Sequence, residues 1–211
     1  MTISLKKILG GLVLGAAFAS QAVAAVAPTF LVSGDKSHLV LNSSNANKFD
    51  VTLPTGFSLA NATYNTFLSL SSAADLVFTF VGKEAAYNDV FKDYNSKSEL
   101  AGTFSNSTSV GNTSMFTTTN VSAGSLTFGF LSNAVNNSFY SNGSSRIGVI
   151  LSDDKKSALL MFNDKGSDKD YDDMVVKVSI LSAVPEPETY ALMLGGLALV
   201  SAVARRRKQQ A

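Results

Sequence analysis

Five aspartates fall within ten residues in Asn163-Asp164-Lys165-Gly166-Ser167-Asp168-Lys169-Asp170-Tyr171-Asp172-Asp173. Like charges this close raise one another's pKa and cost stability unless cations screen them, and Lys165 and Lys169 do so only in part. Asp164, Asp168, Asp170 and Asp172 recur at even spacing, with Gly166 allowing a sharp bend. Carboxylate and carbonyl oxygens are what calcium takes, at about 2.3 to 2.6 Å. The stretch is not an EF-hand. Counted from Asp164, Lys169 stands where a glycine belongs and Val175 where a bidentate glutamate belongs. A calcium site here needs a ligand from elsewhere, for which Glu84 is the candidate. The alternative is a solvated acidic turn whose aspartates bond their own backbone.

Other chemistry is scarce. The chain has 1 histidine and 0 cysteines, so it offers no thiolate chemistry, no disulfide and no histidine-based zinc site. A Ser-His-Asp triad would have to recruit His38, three residues after Asp35, and no G-x-S-x-G elbow is present. A secreted glycoside hydrolase needs only two carboxyl groups, and Glu84 with Asp89 is the available pair. Their plainer roles are support and capping of turns. A carbohydrate-binding module for exopolysaccharide, with or without calcium, would stack sugars on Tyr64, Tyr87, Tyr94 and Tyr140, since there is no tryptophan.

The elements that must position these groups read as strands. In Phe49-Asp50-Val51-Thr52-Leu53 apolar and polar residues alternate, as they do at Leu126, Phe128 and Phe130. Further strand candidates are residues 29–33, 38–41, 67–70, 76–81, 146–152, 158–162 and 174–181, separated by Gly, Asn, Asp and Ser. The continuous run Leu159-Leu160-Met161-Phe162 predicts a strand covered on both faces. Residues 163–173 then form a hairpin loop, and residues 83–91 allow a short helix. Residues 100–145 carry no charge and are rich in Ser, Thr and Asn, a composition that suits long loops anchored by phenylalanines. Asn-x-Ser/Thr triplets at Asn106 and Asn142 read as composition. The expected fold is all-β, a single β-sandwich of jelly-roll or Greek-key type.

Both chain ends read as processing segments. Residues 1–24 place Lys6 and Lys7 before an apolar run and the small triplet Ala22-Val23-Ala24, the pattern of a signal peptide cut by signal peptidase after Ala24. At the other end Pro185-Glu186-Pro187 precedes an apolar helix over residues 189–204 and the basic cluster Arg205, Arg206 and Arg207. Sixteen residues reach about 24 Å, short of a bilayer core of about 30 Å, so this is a short transmembrane helix with its basic tail in the cytoplasm. Residues 25–184 hold 11 Lys and Arg against 14 Asp and Glu, a balance of −3, and nothing there attracts nucleic acid.

The tail resembles the PEP-CTERM sorting signal, in which a Pro-Glu-Pro motif, a short membrane helix and an arginine-rich end address a protein to an exosortase-type membrane enzyme. The resemblance implies residence in the inner membrane before cleavage, then delivery to the cell surface or outside. Residues 81–91 (Val-Gly-Lys-Glu-Ala-Ala-Tyr-Asn-Asp-Val-Phe), 124–130 and 170–176 also resemble an uncharacterised β-rich domain of exported PEP-CTERM proteins, which implies architecture and no defined activity. The domain plan is a signal peptide over 1–24, an ectodomain over 25–183 and a sorting signal over 184–211. The function expected is that of a non-catalytic surface or extracellular-matrix protein.

Overall fold

The computed structural model describes residues 27–41, 48–84, 87–110, 114–133, 136–164, 169–184 and 187–208. The signal-peptide segment, Pro185, Glu186 and Asp168 lie outside the described residues.

Alternation is clearest in one long strand of the core. In β3 (Ala74–Gly82) Ala74, Leu76, Phe78 and Phe80 are buried on one face while the residues between them are half-buried on the other. The strands before it are β1 (Phe30–His38) and β2 (Thr63–Leu70). After it come β4 (Val90–Tyr94), β5 (Leu100–Ser105), β6 (Met115–Val121), β7 (Gly124–Ser125), β8 (Phe128–Ser132) and β9 (Ser138–Ser141). The series ends with β10 (Ile147–Leu151), β11 (Ser157–Phe162), β12 (Met174–Ala183) and one helix, α1 (Pro187–Lys208).

These strands form two antiparallel sheets. The large one has the order β1-β2-β10-β11-β12-β3-β6, with β7 added to β2, and the small one has the order β5-β4-β8-β9. They face each other as a sandwich over one core drawn from both sheets. Phenylalanine supplies much of that core. The Phe91 ring of the small sheet lies 5.5 Å from Phe78 and 6.4 Å from Phe116 of the large one, and 5.1 Å from Phe130 in its own sheet. Phe130 in turn stacks on Phe162 at 4.7 Å with the planes 3° apart. Gly102 in β5 makes room for this packing, because a Cβ there would fall 2.2 Å from the Phe116 ring.

The middle of the large sheet is buried twice. Ala158, Leu160 and Phe162 of β11 enter the core between the sheets. Leu159 and Met161 enter a second cluster on the outer face with Ile150, Val175 and Tyr171. That outer face is covered by Leu39, Phe49, Val51, Leu53 and Phe57. The apolar run at 159–162 thus has the two-sided burial its composition predicts.

Three expectations are corrected. Phe49 to Leu53 is not a strand; it runs as irregular chain, and its alternating apolar residues press on the sheet without joining its hydrogen-bond ladder. The described part of residues 83–91 is not helical, since Val90 and Phe91 already belong to β4. The neutral stretch 100–145 is not mainly loops but carries β5 to β9, its β-branched and aromatic residues finding ladder partners.

Because Phe91 touches rings from both sheets, Phe91→Ala should cost about 3 to 5 kcal/mol. The expected fall in Tm is about 10 °C or more in a thermal melt, with Phe91→Leu falling less than half as far.

Candidate carboxylate site and sorting segment

The acidic stretch joins two neighbouring antiparallel strands, Phe162 of β11 pairing with Met174 of β12. Its described ends are held by hydrogen bonds. Asn163 N–H donates to Arg146 O at 3.0 Å, and Asp164 N–H donates to Asp173 Oδ2 at 2.7 Å. Tyr171 adopts the left-handed conformation, with φ of 58°. Its buried ring and a 2.7 Å hydrogen bond from its hydroxyl to Ser145 O hold it there against the steric cost. Burial, with help from Tyr64 and against Arg146, pushes its phenol up to about 12.

The aspartates divide into two groups. Glu84, Asp170 and Asp172 each offer an oxygen within 4.8 Å of the other two. Glu84 is brought there by its N–H, which donates to Asp172 O at 2.9 Å just beyond the end of β3. Glu84 is exposed, Asp170 half-buried and Asp172 buried completely. Asp172 Oδ2 accepts from Asp50 N–H, whereas Oδ1 is buried and has no hydrogen-bond partner among the described residues. Burial raises the Asp172 pKa, the Asp50 N–H opposes the rise, and the charges of Glu84 and Asp50 add to it. Ionised carboxylates at such spacing repel by about 1 to 4 kcal/mol per pair, depending on how much water reaches them. Lys48 lies close enough to feel the charges of Glu84 and Asp172, but it is paired with Asp50 at 2.5 Å on the surface.

Asp164 turns to the other side. It lies with Asp89 and Asp173 in a group whose members are all buried. Burial lifts Asp89 to about 6 and the charge of Asp173 adds to the rise, while hydrogen bonds with Ser132, Asp164 and Asn106 oppose it. Of the expected calcium ligands Asp164, Asp168, Asp170, Asp172 and Glu84, the four described ones are therefore not one set. The structure brings Glu84, Asp170 and Asp172 together, whereas Asp164 is held with Asp173 and Asp89, its N–H donating to Asp173 Oδ2.

Other candidates resolve as follows. His38 is exposed, and its Nε2 lies 2.8 Å from Ala60 O, while Asp35 accepts from Ser37 at 2.9 Å. That geometry assembles no triad at His38. Glu84 and Asp89 belong to different groups, and Asp89 has no exposed surface with which to meet a sugar. Asn142 is buried and uses its whole amide: Oδ1 accepts from Leu68 N at 2.9 Å, and Nδ2 donates to Leu68 O and Leu126 O at 2.8 and 2.9 Å. Its nitrogen is committed to fastening β2 to the chain entering β8. Tyr94 and Phe139 meet edge to face at 6.2 Å on the rim of a cavity of about 360 Å³ that Ser98, Thr127 and Ser141 also line.

The last segment is the helix α1. Every residue from 190 to 207 is exposed, including Leu192, Leu194, Leu197, Leu199 and Val200. An apolar helix in this state has found no partner surface on the sandwich. Residues 183–208 match the family of the PEP-CTERM protein-sorting motif. This chain carries a PEP-CTERM sorting motif. A PEP-CTERM motif implies an exported protein that an exosortase processes. No curated protein and no solved structure matches the chain. Among the described residues no helix is long and apolar enough to cross a membrane. The apolar part of the PEP-CTERM segment is the short run at residues 189–204.

One buried acid gave no motif in the sequence. Asp93 in β4 is 4% exposed, accepts from Thr118 Oγ1 at 2.6 Å, and is lifted by burial from 3.8 to about 6. Between those values the folded protein keeps a proton that the unfolded chain has lost. Stability from this group therefore falls as pH rises from about 4 to 6, and the penalty is complete above that window. Asp93→Asn keeps an acceptor for Thr118 and removes the charge. It should raise Tm by about 2 to 6 °C at pH 8 and leave it unchanged near pH 4, as melts at the two pH values would show.

Proposed function

We propose that this is a non-catalytic surface or extracellular-matrix protein, held briefly in the bacterial inner membrane by α1 and released or transferred when an exosortase-type enzyme cuts near Pro185-Glu186-Pro187. The observation that carries the proposal is the PEP-CTERM match at residues 183–208, which coincides with an apolar helix that the sandwich does not bury. The basic residues Arg205, Arg206 and Arg207 at the end of α1 favour a cytoplasmic tail, which leaves the sandwich outside. At about 24 Å the apolar run is short for a bilayer core, which suits a transient stop better than a permanent anchor. Signal peptidase would act at the other end, after Ala24.

Intact-mass spectrometry of protein from the native host should show a chain that lacks residues 191–211. Replacing Pro185, Glu186 and Pro187 with alanine should leave the longer chain in the membrane fraction. Recovery of the unaltered protein still bearing Arg205 to Arg207 would instead make α1 a plain anchor.

A second reading has one observation in its favour. The cavity at Tyr94 and Phe139 joins two aromatic rings to several hydroxyls, the combination a carbohydrate-binding module needs for exopolysaccharide. Phe139 is 46% exposed, so its ring is open to a sugar face. Retention of the protein on host exopolysaccharide should fall at least tenfold in Phe139→Ala; equal retention of the two proteins removes this reading.

A further inference from the structure

We infer that Glu84, Asp170 and Asp172 bind one calcium ion between the end of β3 and the start of β12. Three carboxylates within 4.8 Å of one another do not by themselves make a site. The second observation is Asp172: its side chain is completely buried, and Oδ1 meets no hydrogen-bond donor among the described residues. A buried carboxylate oxygen without a donor loses its hydration and receives nothing in exchange, a condition native proteins avoid unless an ion or water meets the need. Protonation would remove the charge but still leave a buried polar group to satisfy.

The spacing fits the ion. Oxygens at 2.3 to 2.6 Å from a calcium can stand up to about 4.6 to 5.2 Å apart, so the three carboxylates need little rearrangement. Magnesium demands shorter bonds and near-octahedral order, which a set spread across an exposed, a half-buried and a buried residue supplies less readily. The exposed side at Glu84 leaves room for the water ligands that complete six to eight oxygens. Lys48, held by Asp50 on the surface, does not take the ion's place at Asp172 Oδ1.

The site also has a mechanical meaning. Glu84 follows β3, whereas Asp170 and Asp172 precede β12, and these two strands are neighbours in the large sheet. One ion would therefore close the end of that strand pair where the backbone bond from Glu84 N to Asp172 O already joins them.

The test is calcium titration of the full chain in detergent, by calorimetry and by thermal melting with EDTA or calcium. One calcium should bind with Kd of about 10⁻⁵ to 10⁻³ M, the span from sensor sites to extracellular modules. At ten times Kd the melting temperature should rise by about 3 to 6 °C over the EDTA sample. Glu84→Gln, an exposed change that leaves the fold intact, should weaken binding at least tenfold, and so should Asp170→Asn. Absence of both heat and melting shift overturns the inference. So does magnesium binding as tightly as calcium, or calcium affinity that survives both substitutions but is lost in Asp89→Asn, which would move the ion to the other carboxylate group.

Discussion

The structure depends on phenylalanine rings meeting across the space between two sheets. No cysteine is available to fasten the layers, so burial must supply the attraction. Phe130 on Phe162, and Phe91 against Phe78 and Phe116, fix the sheets in one relative placement because flat rings of this size leave few alternative fits. The small sheet is thereby seated over β3, β11 and β12. Everything at the end of those strands, including the connection that carries the aspartates, takes its position from that seating.

Burial of the large sheet on its second face adds a constraint of its own. Leu159, Met161 and Val175 require a cover, and the segment between β1 and β2 supplies it with Leu39, Phe49, Val51 and Leu53. The same covering segment brings Asp50 N–H to Asp172 and Lys48 to Asp50. Apolar packing and the acidic group are therefore linked: the residues that cover the sheet also decide which oxygens of Asp172 have donors. Tyr171 joins the outer cluster between the two aspartates that belong with Glu84, and its buried ring holds the loop down.

How much of this was legible in the sequence follows from what periodicity encodes. The alternation at Leu126, Phe128 and Phe130 and the unbroken run at 159–162 report burial, and burial is what the structure shows for them. Phe49, Val51 and Leu53 alternate equally well, yet they form no strand, because a period of two records which side is apolar and not whether a neighbour completes the hydrogen bonds. The uncharged Ser, Thr and Asn stretch hid five strands for a related reason: its Ser and Asn read as loop, while the β-branched threonines and the aromatic residues among them are what the strands use. Glu84 was a candidate only because a cation in the acidic stretch would need a ligand from elsewhere, and its carboxylate lies within 4.8 Å of those of Asp170 and Asp172. The division of Asp164 and Asp173 from the others was not legible, since it depends on Asp89, just before β4, and on Ser132 at the end of β8, both from the opposite sheet.

The place where the sandwich ends has a bearing on its maturation. Val184 N–H still donates to Ala73 O at 3.1 Å, so the ladder of the large sheet is secured up to the residue just before the Pro-Glu-Pro triplet. Beyond it, the side chains of residues 190–207 in α1 all stay exposed. If the proposed processing acts there, it would be largely decoupled from folding, because both apolar clusters of the sandwich are built without any described residue of α1.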